Sequence, residues 1–264
     1  MAELSIKLSE EELVYLVGEF EGTVLPGISD PFADLDDAER TQKILEVEDT
    51  LHEKGYRKRA FGGKTNYDEG LAEMIKICAG FKYYIGFDKK VSNGSFTTER
   101  FYCKDDKWLQ ISGSQDVFTL VVRSNDYIKD FVSNIPKDVG NRSNQISILV
   151  PQNDFEDIAN YVQSGDVDLA KEQIKKFNLD AFNESFLIDG LSFNIDYSAI
   201  TIVSRDGDSI KDAESVAAFI GDEAMAEFYN TVTDDLQAMV GLRSVNSGNW
   251  TKIKEVIMDW LTVS

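Results

Sequence analysis

Residues 146–165, ISILVPQNDFEDIANYVQSG, repeat the plan of residues 4–22, LSIKLSEEELVYLVGEFEG. In both segments a short apolar stretch leads into a capping-box pattern and then into one amphipathic helix that ends near a glycine. The spacing i, i+3, i+4, i+7 places four apolar side chains on one stripe of each helix. The stripes are Leu13, Leu16, Val17 and Phe20 in the first segment, and Phe155, Ile158, Ala159 and Val162 in the second. Because the same parts recur in the same order, the sequence predicts two related halves.

Each of the two helices is expected to begin with a residue whose side chain caps the first turn. The first capping box pairs Ser9 with Glu12, and the second pairs Asn153 with Glu156. Gly22 and Gly165 are the expected stops, since glycine adopts the backbone conformation that ends helices.

Composition predicts a soluble globular protein with an acidic surface. The chain has 264 residues, of which 42% are hydrophobic and 11% aromatic, as in globular proteins rather than disordered chains. The formal net charge of -20 comes from 47 acidic and 27 basic residues. Such a charge repels phosphate backbones and anionic lipid surfaces, so we expect no nucleic-acid partner and no membrane insertion.

The start of the chain and its cysteines indicate a cytoplasmic location. MAELSIKLSEEEL lacks a basic segment followed by an apolar run, so no export signal is expected. Cys78 falls in an apolar helix pattern and Cys103 in a strand pattern. These positions predict two core thiols rather than a disulfide.

The first half is expected to contain four helices and an aromatic meander. Short aromatic and β-branched runs between residues 81 and 123, divided by turn-forming segments, predict three or four antiparallel strands. A helix is expected to start after Asp36 and run to about Lys54, and another is expected over residues 67–78. In the helix that ends near Lys54, the inward residues are Ile44, Val47 and Leu51, with Leu45 at the margin. The last helix in this half has the inward residues Ile128, Phe131, Val132 and Ile135.

The second half repeats this order. A helix from Val167 to about Leu179 should face inward with Leu169, Ile174 and Phe177, and SAITIVS predicts a strand. Residues 206–241 fit either strand or helix, and the repeat favours strand. The last helix has Ile253, Val256, Ile257 and Trp260 on one side, and both terminal helices follow an Arg-Ser pair, Arg123-Ser124 and Arg243-Ser244.

These patterns predict an α+β fold with a pseudo-two-fold axis. Two such halves would pair their strands into one central antiparallel sheet, flanked by two helical bundles. We expect the first half over residues 1–136, a linker over residues 137–145 and the second half over residues 146–264, together forming one compact unit.

The sequence offers little for catalysis, metal binding or a cofactor. His52 is the one histidine, no HExxH or CxxC pattern accompanies it, and no GxSxG motif is present. SRDGDSIKD lacks the glycine and the glutamate that a calcium-binding EF-hand loop requires, so a hairpin turn is expected there. We therefore predict a binding protein that is not an enzyme and needs no cofactor.

The order of parts resembles the EspG family, the cytosolic chaperones of type VII secretion systems. The resemblance is diffuse over nearly the whole chain. It rests on LSEEELVYLVGEF, DDAERTQKILEVEDTLHEKGY, EGLAEMIKIC and the aromatic strands up to FTLVV, then on ILVPQNDFEDIANYVQSGDVDLAKEQIKKFNLD, AITIVS and WTKIKEVIMDWL. Membership would imply a pseudo-symmetric fold and a chaperone or targeting role toward a helical export substrate.

The resemblance also implies partners and contact residues. The substrate would be a PPE- or WXG-like helical hairpin or, since the composition favours a low-GC Gram-positive source, the targeting domain of an LXG toxin, with a small WXG-like protein as a further partner. Carried over from the family, a loop over residues 88–95 and a helical-bundle surface would bind it. The candidate contacts are Lys89, Lys90, Val91 and Asn93 in the loop, and Phe182, Phe186, Leu187 and Trp250 in the bundle.

Two other interpretations stay open at the level of sequence. An immunity protein would neutralise a toxin by covering its active site, and an acidic surface suits a basic toxin. An enzyme of an unrecognised type is the third hypothesis. For the candidate contacts, ordinary roles compete with binding: a solvated hairpin for the loop, and core packing for the apolar residues.

Overall fold

The structure is a computed structural model that describes residues 4–22, 25–59, 65–92, 94–114, 117–134, 144–233, 236–245 and 249–262. Within these residues the chain forms twelve strands and eight α-helices. The strands are β1 (Ser5–Leu8), β2 (Arg57–Arg59), β3 (Thr65–Tyr67), β4 (Tyr83–Lys90), β5 (Phe96–Lys104), β6 (Lys107–Ser114), β7 (Val117–Arg123), β8 (Ser147–Pro151), β9 (Asp196–Asp206), β10 (Ser209–Ile220), β11 (Met225–Val232) and β12 (Ala238–Ser244). The helices are α1 (Glu10–Glu19), α2 (Asp37–Glu53), α3 (Glu69–Ala79), α4 (Asn125–Ser133), α5 (Gln152–Ser164), α6 (Val167–Ile174), α7 (Ala181–Leu191) and α8 (Asn249–Thr262), with a 3-10 turn at Lys175–Phe177.

The large sheet has ten strands, and their order repeats about its centre. It runs β1-β7-β6-β5-β4-β9-β10-β11-β12-β8, and the neighbouring strands are antiparallel. β4 and β9 lie side by side in the middle. Outward from β4 come the meander strands β5, β6 and β7 and then β1, the first strand of its half. Outward from β9 come β10, β11 and β12 and then β8, the first strand of the other half. The predicted α+β fold with a pseudo-two-fold repeat is therefore confirmed, and the ambiguous segment after β9 consists mainly of strands.

The repeated segments occupy matching places at the two ends of this sheet. β1 pairs with β7 and β8 pairs with β12, and each edge strand leads directly into a helix, α1 or α5. The edge strands bury matching residues, Ile6 and Leu8 in β1, Ile148 and Val150 in β8. The common pattern that suggested a duplication thus forms the same strand–helix unit twice.

The two helices begin differently from one another. The capping box at α1 is confirmed, because the Glu12 N–H donates to Ser9 Oγ (3.2 Å) and the Ser9 N–H donates to Glu12 Oε2 (2.8 Å). The box predicted at Asn153 is wrong: α5 begins at Gln152, after Pro151, and no side chain caps it. Proline fixes its own φ near helical values, so the chain turns into the helix one residue before Asn153 is reached. Gly165 ends α5 with φ +87°.

Side-chain alternation along β9 assigns the helices to the two faces of the sheet. Tyr197 and Val203 point to one face, which the bundles α1–α3 and α5–α7 cover at opposite ends of the sheet. Ile200 and Ile202 point to the other face, where α4 and α8 pack side by side over the centre. Each half therefore contributes three helices to one face and one helix to the other.

The two Arg-Ser pairs form matching polar bridges under α4 and α8. Arg123 donates from Nε to the side-chain oxygen of Gln110, a buried residue of β6. Arg243 donates from Nε to Glu227 Oε1 (2.8 Å), and Glu227 is a buried residue of β11. Each arginine thus satisfies a buried polar group on the strand beside it. The positions differ by two residues, since Glu227 pairs directly with Arg243, whereas Trp108 pairs with Arg123 and Gln110 follows two residues later.

Several detailed predictions differ from the structure. Leu169, predicted to face inward, and Leu45, predicted at the margin of the inward set, are 45% and 51% exposed, because each lies off the side of its helix that faces the core. α6 ends at Ile174 and the 3-10 turn follows it. Ile135 and nearly all of the predicted linker, residues 137–143, lie outside the described residues. The division at residues 136 and 146 stays a proposal.

Candidate partner-binding surface

The tip of the β4–β5 hairpin meets the segment that joins α7 to β9. Lys90, the last residue of β4, lies directly opposite Phe96 on β5 and opposite Tyr197 on β9. Residues that are paired in this way project to the same face of a sheet. The pairing therefore places a lysine between two aromatic residues on the face that also holds the helical bundles.

Aromatic contacts extend this pairing into a cluster. The Phe96 and Tyr197 rings are stacked with centroids 6.5 Å apart, and the Phe193 ring meets Tyr197 edge to face at 6.2 Å. Lys90 Nζ lies 4.1 Å from the centroid of the Phe193 ring, a cation–π distance. We call Lys90, Val91, Phe96, Phe193 and Tyr197 the hairpin-tip patch.

The hairpin-tip patch is exposed where it is most apolar. Phe96 is 53% exposed and Val91 is 44% exposed, whereas Lys90, Phe193 and Tyr197 are half-buried. Exposed aromatic and aliphatic side chains beside a cation are typical of interaction sites. The patch can therefore bury apolar surface and accept a negative charge at the same time.

Rigid elements hold the hairpin-tip patch from below. The Ser92 N–H donates to Asp196 Oδ1 (2.7 Å), which ties the hairpin to the start of β9. The Tyr197 ring contacts Phe219 edge to face at 6.0 Å, and Phe219 in turn contacts Phe228 at 4.8 Å. This row of rings reaches α5 through Phe155, whose ring lies 6.1 Å from that of Phe228. The exposed aromatic residues are therefore anchored to the second bundle.

Burial fixes the protonation state of the tyrosine in the patch. Desolvation raises the pKa of Tyr197, and the nearby Asp88 carboxylate raises it further. A tyrosine hydroxyl is protonated at neutral pH even with its ordinary pKa of about 10, and the raised pKa keeps it so at higher pH, so it can donate a hydrogen bond to a partner.

The predicted loop is partly strand. Residues 88–90 complete β4, since the pairing of β4 with both β5 and β9 continues to Lys90. Lys89 faces the opposite side of the sheet from Lys90. Val91 is exposed at the turn, and Asn93 lies outside the described residues.

The predicted bundle contacts lie mostly in the core. Phe186 and Leu187 are buried in the core of the second bundle, and Trp250, in the first turn of α8, is buried in the core on the opposite face of the sheet. Phe182 is half-buried, with its ring 6.3 Å from that of Phe186. Their burial corrects the expectation of a bundle surface, because these side chains pack against the sheet. The hairpin meets this bundle instead at Phe193, just after α7.

Three residues of the hairpin-tip patch were absent from the sequence prediction: Phe96, Phe193 and Tyr197. Phe96 stands at the start of the aromatic run SFTTERFYC, directly after a turn, and this position was a signal for exposure. Phe193 and Tyr197 gave no such signal, because their place depends on the pairing of β4 with β9, which joins the two halves.

The two cysteines and the histidine are the other reactive side chains that the sequence singled out. Burial raises the pKa of the Cys78 and Cys103 thiols to about 12, which suppresses the thiolate form. His52 is exposed on α2, with Nδ1 at 3.0 Å from the Arg57 carbonyl oxygen. No group of three histidine, cysteine, aspartate or glutamate residues suited to a metal occurs in the part of the chain that the structure describes.

Comparison with known proteins gives a likeness to solved structures. No protein-family model matches the chain, and no curated protein is similar to it. Among solved structures, the chain is similar to the type VII secretion chaperone EspG5 of Mycobacterium tuberculosis, in its complex with the PE25–PPE41 dimer, with a TM-score of 0.47. The identity is 11%, over 97% of this chain and 95% of EspG5. Among the described residues, none of the helices is both long and apolar enough to span a membrane.

Proposed function

We propose that this protein is a chaperone or targeting factor that binds a helical export substrate of a type VII secretion system at the hairpin-tip patch. The observation that supports this most is that the exposed side chains of Phe96 and Val91 lie beside the cation–π contact between Lys90 and Phe193, on a rigid sheet. A chaperone needs an apolar contact surface with a polar rim, and this surface has both.

The rigidity of the patch favours a binding role. A partner does not have to order the side chains of the patch, since Tyr197 and Phe193 are already fixed by ring contacts and by α7. Contacts fixed before binding lose little conformational entropy on association. The complementary substrate presents apolar side chains with an acidic residue beside them, as the tip of an amphipathic helical hairpin can. The substrates we propose are the targeting domain of an LXG toxin or a PPE- or WXG-like hairpin.

The test is co-expression with the helical secreted proteins encoded beside this gene. Complex formation is measured by size-exclusion chromatography with light scattering, and affinity by calorimetry. Phe96→Asp places a charge in the patch and should weaken binding by about 30-fold, the effect of losing a hot-spot residue. Leu45→Asp is the matched control, since Leu45 is 51% exposed on α2, and it should change affinity less than about twofold.

Two results would refute the proposal. One is wild-type affinity in the Phe96→Asp variant while its thermal unfolding is unchanged. The other is an equal loss of affinity in the Leu45→Asp variant, which would indicate a general effect of charge.

A second candidate function is neutralisation of a toxin. The net charge of -20 suits a basic partner. An immunity protein binds the catalytic domain of the toxin and protects cells in which export is disabled, whereas a chaperone binds the helical targeting domain. Separate binding assays with the two toxin domains distinguish these functions.

A further inference from the structure

A cleft opens on the opposite face of the sheet, between α8 and the strands β9 and β10. Its inner part has a volume of about 240 Å³, and an adjoining outer part has about 350 Å³. These volumes are of the size that holds single side chains or small ligands. The inner part is lined by Ile202, Ser204, Asp212, Glu214, Val256 and Trp260.

A β-bulge determines which charge enters this cleft. Ile210 pairs with Arg205, but the register shifts by one residue, so that Asp212 pairs with Ser204. Without the shift, Lys211 would stand opposite Ser204. Bulges re-aim side chains in this way. The shift therefore places a carboxylate beside Ser204, where an unbroken hairpin would place an ammonium group.

Two polar groups in the inner cleft have no partner within the described structure. Ser204 is only 7% exposed, lines both parts of the cleft, and its hydroxyl makes no hydrogen bond with another described residue. Asp212 is exposed at the edge of the cleft, and its side chain has no ion pair or hydrogen bond with another described residue. Glu214, by contrast, forms an ion pair, with its Oε1 atom 2.8 Å from Lys252 Nζ. The Ser204 side chain is buried up to its hydroxyl, which opens into the cleft, so a donor that enters the cleft can reach both this hydroxyl and the Asp212 carboxylate.

The remaining walls suit the stem of a long side chain. Ile202 is buried and Val256 is half-buried. The Trp260 ring is stacked on Tyr83, with centroids 4.5 Å apart and planes 13° apart. Apolar walls accept the methylene groups of arginine or lysine, and aromatic rings attract their charged ends. The cations of the cleft, Lys82, Arg205 and Lys211, line its outer part, which shares Ser204, Asp212 and Trp260 with the inner part.

We propose that the inner cleft binds the side chain of an arginine or lysine presented by a partner polypeptide. Asp212 pairs with the cation, Ser204 Oγ accepts a hydrogen bond, and Ile202, Val256 and Trp260 contact the stem. The net charge of -20 draws such a basic segment toward the protein. This site lies on the face opposite the hairpin-tip patch, and the proposal holds whether or not that patch binds an export substrate.

The test uses the full chain and three blocked tripeptides: acetyl-Gly-Arg-Gly-amide, acetyl-Gly-Lys-Gly-amide and acetyl-Gly-Glu-Gly-amide. The chain has three tryptophans, and two of them, Trp108 and Trp250, are buried in the core. In NMR titrations the arginine and lysine peptides should therefore shift the indole N–H signal of Trp260 and leave the indole signals of Trp108 and Trp250 in place. The Trp260 signal is assigned by its loss in the Trp260→Phe variant. The titrations are run at about 150 mM salt, where distant charges are screened.

Matched variants separate the site from the overall charge. Asp212→Asn should weaken binding of the arginine peptide at least about fivefold, since it removes a charge-assisted contact. Ser204→Ala should weaken it about twofold to threefold. Asp222→Asn removes the same charge at an exposed turn between β10 and β11 and should leave affinity within twofold of wild type.

Three results would overturn the assignment. The first is a Trp260 signal that neither basic peptide shifts. The second is an equal shift with the glutamate peptide. The third is a loss of affinity in Asp222→Asn as large as that in Asp212→Asn.

Discussion

Gly190→Ala tests how α7 is seated on the sheet. Gly190 lies inside α7, and an added Cβ would stand 2.3 Å from Cδ2 and 2.5 Å from Cε2 of Phe219. The Phe219 ring is 3% exposed and is held between the Tyr197 and Phe228 rings, so it cannot swing away. The added methyl group must therefore push α7 off the sheet.

The magnitude follows from two opposing effects. Alanine in place of glycine inside a helix stabilises by roughly 0.5–1 kcal/mol. Overpacking of a well-filled core costs about 1–3 kcal/mol. With so short an approach we expect the clash to dominate, for a net loss of about 1–2 kcal/mol in the free energy of unfolding. For a chain of this size that corresponds to a fall in Tm of roughly 2–8 °C.

Gly18→Ala is the matched control. Gly18 lies in α1, and an added Cβ there meets nothing within 4 Å. This variant should gain about 0.5–1 kcal/mol, since only the helix preference changes. Urea and thermal unfolding, followed by circular dichroism, measure both variants. A Gly190→Ala protein that is as stable as Gly18→Ala would refute the packing of α7 described above.

The remaining predictions concern caps, buried charges and thiols. Ser9→Ala should cost about 1 kcal/mol of stability because Ser9 caps α1, whereas Asn153→Ala should cost much less because Asn153 is no cap; equal losses in urea unfolding would contradict this. Arg243→Ala leaves the buried Glu227 carboxylate with Asn249 as its remaining partner, so we expect a loss of about 2–3 kcal/mol, and a neutral result would argue against the bridge. Burial raises the pKa of Cys78 and Cys103 to about 12, so in the unfolded chain these thiols lose their protons at lower pH than in the folded one. Stability should therefore fall as pH rises from about 9 toward 12, and a thiol reagent at pH 8 should label neither cysteine until the protein unfolds.

The fold was accessible from sequence because its information is local and repeated. The cap at Ser9, the stripe Leu13–Leu16–Val17 and the matching pattern after Ile146 each specify a strand–helix unit without knowledge of the rest of the chain. Duplication then implies where the two units lie, since equivalent units take equivalent places at the ends of a shared sheet.

The candidate surface was less accessible because it depends on contacts between the halves. Lys90, Phe96 and Tyr197 become neighbours only through the pairing of β4 with β5 and β9. The apolar residues Phe186 and Leu187 show the reverse problem. A helix pattern identifies apolar side chains, but it does not tell whether a partner protein or the chain's own sheet covers them, and here the sheet does.

The Asn153 and Leu169 predictions are wrong for a related reason. A proline before α5 overrides the capping pattern. In α6, Ala170 and Ile174 are four residues apart and form the buried stripe, which turns Leu169 toward solvent because successive helical residues are about 100° apart. In both places a neighbouring residue outside the predicted pattern decides the outcome.

Site-specific photo-crosslinking is the most direct test of the proposed role of the hairpin-tip patch. The photoreactive residue p-benzoylphenylalanine is placed at Phe96 or, for comparison, at Leu45, and the chain is co-expressed with the helical secreted proteins encoded beside it. We expect a crosslink to the helical part of one such protein from position 96 and none from position 45. Crosslinks from position 45 alone, or from neither position while a complex still forms, would contradict the proposed role.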